Sequence, residues 1–228
     1  MKLLPPHAPA LTLLLSLLGF LLASPFVEHS PRAILLFYLL YTGMLLVAAY
    51  AVGTRSRAFW VAVFLGFGGI AMLWVGFVLS HQGMATTGML TYVAFGFVVI
   101  GALLERVLNA ERVDFDVLCT AVSIYLLLGV VWGVSYVAIL ELAPHSFGGR
   151  DLPSTGAAGS LLYFSFVTLT TLGYGDITPV GDFVRIWSAL EAVTGVLFIA
   201  TLVARLVSLY DRQRDRGHRR SDSSADAG

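Results

Sequence analysis

The sequence predicts an all-α membrane protein with six transmembrane helices plus one short re-entrant helix and loop. Three observations carry that expectation. The chain of 228 residues is 57% hydrophobic and only 12% charged, whereas soluble globular domains carry about a quarter charged residues. Apolar runs long enough to cross a hydrocarbon core, about 20 residues each, recur along the chain. One further apolar stretch, just before the last run, is too short to cross and leads into a glycine-rich polar break.

The elements follow in order. Charge-free runs occupy residues 8–27, 33–54, 58–80, 86–104 and 117–140, and a sixth apolar run covers 183–208. The first could be read as a signal peptide, since Lys2 precedes a leucine-rich core and small residues follow near Ala23 and Ser24. Its twenty uncharged residues favour a retained helix. The break Ser80-His81-Gln82-Gly83 separates the third run from the fourth, with His81 read as a loop residue. The single Cys119 excludes an intrachain disulfide framework and is expected to be a buried small hydrophobe.

Basic residues in short loops set the orientation. With both termini inside, the inner side carries Lys2, Arg55, Arg57, Arg106, Arg112, Arg205, Arg212, Arg214, Arg216, Arg219 and Arg220. The outer side carries only Arg32, Arg150 and Arg185. The expectation is a multi-pass plasma (inner) membrane protein with cytoplasmic termini.

Residues 143–182 then lie outside, between two spanning helices. After a loop rich in Pro and Gly, Ser160 to Thr170 form an apolar or hydroxylated segment of eleven residues. As a helix it measures roughly 16 Å, half a bilayer. It enters the membrane and must return through Thr170-Thr171-Leu172-Gly173-Tyr174-Gly175-Asp176. Irregular backbone at that depth is tolerated only where protein buries it or where it lines water. In an ordinary strand carbonyls alternate in direction; turning them all one way requires residues at positive φ, which glycine adopts without steric cost. Gly173 and Gly175, at alternate positions, permit a ladder of carbonyl oxygens with the Thr171 hydroxyl innermost. Four such ladders around an axis can replace an ion's hydration shell. The short helix would aim its partially negative C-terminal end inward, which favours a cation.

The stretch TLTTLGYGDITP resembles the selectivity-filter signature of potassium channels, with Leu172 where Val is usual. Residues 113–210 look like an outer helix, pore helix, filter and inner helix. The whole chain is similar to small bacterial six-transmembrane-helix potassium channels. The resemblance implies a homotetrameric pore in which Thr171, Leu172, Gly173, Tyr174 and Gly175 coordinate permeant K+, with no other cofactor. It implies that Thr170 and Asp176 support the filter, and that Tyr163, where many relatives have Trp, can bond Asp176. Val167 stands where some bacterial channels bury a glutamate, so an acid pair behind the filter should be absent. Gly195 matches a hinge glycine, or equally a small residue for close packing. Val196, Ile199 and Val203 would face the cavity. Arg205 would lie near the inner mouth, reaching lipid headgroups or an acid of the linker after the fourth helix. Glu191, ionisable within a span, has no partner evident from sequence, and a packing role is favoured.

The domain reading has three parts. Residues 1–112 form a four-helix transmembrane domain ending in a linker, ERVLNAERVDFD, expected to run along the inner membrane surface. Residues 113–210 form the pore domain, and 211–228 a disordered cytoplasmic tail whose arginines can meet anionic lipid. A voltage sensor needs several basic residues within its fourth helix. The run 86–104 has none, so gating by voltage should be weak or absent. Two alternatives remain at this level: a weakly selective cation channel, or a subunit of a potassium uptake system. No nucleophile–base pair, metal cluster or phosphate loop suggests an enzyme, and no nucleic-acid partner is expected.

Overall fold

The computed structural model describes residues 8–24, 42–44, 46–48, 50–51, 57–79, 82–149 and 157–225. The described chain is mostly helical. Helix α1 spans Ala8–Ala23, α2 Arg57–Val78, α3 Gln82–Leu108 and α4 Phe115–Leu142. Strand β1 covers Phe147–Gly149, α5 Ala158–Leu169, β2 Ile177–Pro179 and α6 Asp182–Ala225. Four of these helices, α2, α3, α4 and α6, are long and apolar enough to cross a membrane, which makes this a multi-pass membrane protein. Helix α1 is shorter, at 16 residues. Most of the run 33–54, Ser80 and His81 lie outside the described residues, so the six-helix count rests on the sequence.

Helix α4 is the hub. It packs against α1, α3, α5 and α6, and Ile124, Leu127, Val130, Trp132 and Tyr136 on it are buried. A hub helix must be apolar on most of its circumference, and the only charges in its sequence, Asp116 and Glu141, stand near its ends. Asp114 starts it as an N-cap, its side chain accepting from Val117 N at 2.9 Å, one of the donors a helix start leaves unpaired.

Glycines set the closest approaches. A Cβ at Gly129 would stand 2.5 Å from the Phe166 ring, and one at Gly133 would stand 2.9 Å from Leu162 Cδ1. The spacing Gly129-x-x-x-Gly133 thus gives α4 a flat strip on which α5 lies, the small-residue device of membrane helix pairs. Gly96 does the same between α3 and α4, with Val131 Cγ2 at 2.2 Å from its ideal Cβ.

Two sequence expectations change here. The linker expected along the inner surface is a tight turn at 109–114, because α3 continues through Leu108. Glu105, Arg106 and Leu108 are good helix formers, and the Asp114 cap restarts the next helix at once. The tail from Asp211, expected to be disordered, continues α6 to Ala225. An established helix extends at little cost through residues such as Arg and Gln.

Candidate functional site

The site begins at the C-terminal end of α5. Val167 is buried, and its carbonyl accepts from both Leu172 N at 2.9 Å and Gly173 N at 3.3 Å. Thr171 N donates to Thr168 O at 2.9 Å, and Thr170 Oγ1 donates to Phe166 O at 2.7 Å. The last turn of the half-length helix therefore spends its free carbonyls on the loop that follows, as helix ends require.

The loop itself alternates. Thr171, Gly173 and Gly175 have φ of 59°, 58° and 78°. Gly173 and Gly175 were expected there; Thr171 was not, and it is the one non-glycine residue at positive φ among the described residues. Such a conformation costs roughly 1–3 kcal/mol and points to a functional constraint where surrounding contacts hold it. A Cβ at Gly173 or Gly175 would meet nothing within 4 Å, so glycine is required there by backbone conformation and not by space. In one chain the stretch stands in the open: Leu172 and Tyr174 are 55% and 66% exposed.

The outer end is pinned twice. Tyr163 Oη donates to Asp176 Oδ2 at 2.7 Å. That bond, helped by the Ile177 backbone N–H, holds the Asp176 carboxyl below the usual carboxylate range. Just beyond, β2 pairs antiparallel with β1, matching Ile177 to Gly149 and Pro179 to Phe147. At Gly149, with φ of 137°, a Cβ would lie 2.1 Å from Asp176 O. Only glycine lets the two backbones meet that closely.

Helix α6 closes the rear. An ideal Cβ at Gly195 would stand 2.2 Å from Leu169 O, and the helix runs unbroken through that position. Close packing on the end of α5 is what the structure gives Gly195. One and a fraction turns earlier, Glu191 is fully buried. Its Oε2 accepts from Tyr136 Oη at 2.5 Å and its Oε1 contacts Ser165 Oγ at 2.5 Å. So the carboxyl that borders α5 comes from α6. Val196, Ile199 and Val203 are 52%, 47% and 53% exposed on α6.

Arg205 differs from its expectation. Among the described residues it pairs with no acid: its Nη2 donates to Leu108 O at 2.6 Å and to Ala110 O at 3.0 Å, placing a cation on the partially negative C-terminal end of α3. Arg106 takes the acid instead, with Nη2 2.6 Å from Asp116 Oδ2. The structure thus brings Tyr163, Thr170 to Asp176 and Gly195 around the end of α5, and sets Arg205 apart on the turn between α3 and α4. Sequence reading missed Ser165 and Tyr136 as partners of Glu191. It also missed Gly129 and Gly133, although their i, i+4 spacing was a readable signal.

These features define a class: a membrane protein whose half-length helix and glycine loop re-enter between two spanning helices. The profile of a family described as ion channel matches residues 120–212, the stretch that holds most of α4, all of α5, the loop and the apolar part of α6. Protein LctB of Geobacillus stearothermophilus is 31% identical over 136 residues, 57% of this chain and 98% of that protein. Its namesake from Bacillus caldotenax is 32% identical over 115 residues, covering 83% of that protein. Two pore potassium channel c of Oryza sativa subsp. japonica is 35% identical over 85 residues, though this chain spans only 18% of its length. The chain belongs to the ion channel family.

Proposed function

We propose that the chain is a potassium-selective channel, with four copies surrounding one axis and conducting K+ passively across the plasma membrane. The observation that carries this reading is the alternation of positive φ at Thr171, Gly173 and Gly175. That alternation turns successive carbonyls to one side, and four such strands offer the oxygen cage that a dehydrated cation needs. Thr171, Leu172, Gly173 and Tyr174 supply the ion-coordinating oxygens, and Gly175 completes the strand. Thr170, Tyr163 and Asp176 hold it in place, and Asp176 adds negative potential at the outer mouth. Exposure of Leu172 and Tyr174 in one chain supports assembly, since neighbouring copies would cover them. Val196, Ile199 and Val203 line the cavity, an apolar wall suited to closure by dewetting. The excess of basic residues on one side supports cytoplasmic termini, and the Arg-rich end of α6 meets anionic lipid there. The run 86–104 contains no basic residue, so voltage has little charge to move.

The test is the reversal potential of the purified chain in a planar bilayer, with potassium on one side and sodium on the other. Reversal near the potassium equilibrium potential is expected. Reversal near zero would overturn the selectivity.

A further inference from the structure

Glu191 carries more than packing. Three oxygen–oxygen contacts form one chain: Tyr136 Oη to Glu191 Oε2 at 2.5 Å, Glu191 Oε1 to Ser165 Oγ at 2.5 Å, and Ser165 Oγ to Gly129 O at 2.8 Å. Each contact needs a proton between its oxygens. The Tyr136 and Ser165 hydroxyls bring one each, and the Gly129 carbonyl brings none. The third proton has one remaining place, the Glu191 carboxyl. With it the network closes: Tyr136 donates to Oε2, Oε1–H donates to Ser165, and Ser165 donates to Gly129 O. Without it, Ser165 must abandon either Gly129 or Glu191, and two lone pairs face each other in the interior.

The surroundings agree with a neutral group. Tyr136, Ser165 and Glu191 are each fully buried. Helix α4 presents Tyr136 there, with Tyr125 Oη further along, 3.5 Å from Leu169 O; α5 presents Ser165, while its Tyr163 bonds Asp176. On α6 itself Ser188 donates to Val184 O at 2.8 Å, and Arg185 reaches Pro179 O at 3.3 Å. Of the charges on α4, Asp116 is paired with Arg106 and Glu141 stands exposed at the far end. Phe164 and Phe147 wall Tyr136 at ring distances of 5.1 and 5.6 Å. A buried charge without a counter-charge is strongly disfavoured.

We propose that Glu191 is a positioning residue of the filter that works in its protonated, neutral form. It fastens three helices together at Ser165, two residues before Val167, whose carbonyl holds Leu172 N and Gly173 N. Loss of the proton breaks one link of that fastening and frees the helix on which the filter is anchored. The proposal rests on the pore reading above, and its decisive measurement needs no ion flow, so the two fail separately.

The test is infrared difference spectroscopy of the full chain in lipid, comparing wild type with Glu191→Gln. A protonated-carboxyl C=O band at neutral pH, absent from Glu191→Gln and shifted by Ser165→Ala, is expected. No such band in wild type would overturn the proposal. In bilayers, wild-type current should decline on the alkaline side, and Glu191→Gln, a neutral isostere with a donor and an acceptor, should keep wild-type selectivity and lose that decline. Glu191→Leu should lower potassium-over-sodium preference roughly tenfold, the effect of one unsatisfied buried group. A Glu191→Gln protein that fails to assemble, or that behaves like Glu191→Leu, would equally overturn it.

Discussion

Gly195→Ala separates two roles that glycine can play in the last helix. A methyl group there would begin 2.2 Å from Leu169 O and 3.0 Å from Leu169 Cδ1. Ordinary carbon–oxygen contacts lie at about 3.3–3.6 Å, so the overlap is roughly 1 Å. The clashing atom is backbone, so no rotamer change relieves it, and α6 must move away from the end of α5. Overpacking of this kind costs about 1–3 kcal/mol, against about 1 kcal/mol gained from helix propensity. The net loss is therefore up to about 2 kcal/mol per chain, with Leu169 at the end of α5 displaced. Thermal unfolding in detergent, run beside Gly101→Ala as control, measures this directly, because Gly101 has nothing within 4 Å of its ideal Cβ. A lower midpoint for Gly195→Ala alone, with weakened potassium preference, is expected. An unchanged midpoint with only an altered open probability would refute the packing argument and make Gly195 a hinge.

Gly173→Ala and Gly175→Ala should abolish selectivity without loss of assembly, since each forces an L-residue into left-handed backbone at about 1–2 kcal/mol while meeting no neighbour; bilayer reversal potentials and cross-linking read the two effects. Arg205→Ala should loosen the turn at 109–114 by the loss of two charge-assisted bonds, seen as faster amide exchange there and faster tryptic cleavage after Arg112, with Arg205→Lys intermediate. Tyr163→Phe should shift the acid sensitivity of the outer mouth. The Asp176 carboxyl is held low by Tyr163, so its contribution is present above the unfolded carboxylate value and lost as pH falls through the depressed folded one. Removing the hydroxyl moves that loss to higher external pH, which current measured across an acid titration of the outer bath would show.

The legible part of this protein was whatever depended on one stretch of chain at a time. Apolar run length marked the spans at 58–80, 86–104, 117–140 and 183–208, and the half-length helix with its glycine break marked the loop. What escaped was pairing across the fold. Glu191 met Tyr136 and Ser165, 55 and 26 residues away in sequence, and no periodicity encodes such meetings. Arg205 suggested lipid headgroups or an acid as partners because charge is visible in a sequence, whereas the carbonyls of Leu108 and Ala110 come free only once α3 has ended. Thr171 escaped for a different reason. Its left-handed backbone is imposed by the Val167 and Thr168 carbonyls that hold the turn, against the preference of a β-branched residue. The tight turn before α4 was readable from Asp114 as a cap, but Val107, Leu108, Val113 and Phe115 suggested a linker lying along the inner membrane surface instead.

The place of α4 between the other helices bears on how this chain relates to shorter relatives. A protein of which 98% is matched by 136 residues of this chain has little length left for counterparts of both α1 and the α2–α3 pair. In water, stripping those helices from α4 would bare an apolar face and unfold the rest. In a bilayer the vacated surface meets acyl chains as apolar as the leucines they replace, and the loss is confined to shape. Val131, seated against Gly96, leaves a knob without its socket. An amputated form of this chain would therefore be expected to keep its conducting half and to gather lipid tails, in fixed positions, along one side of α4.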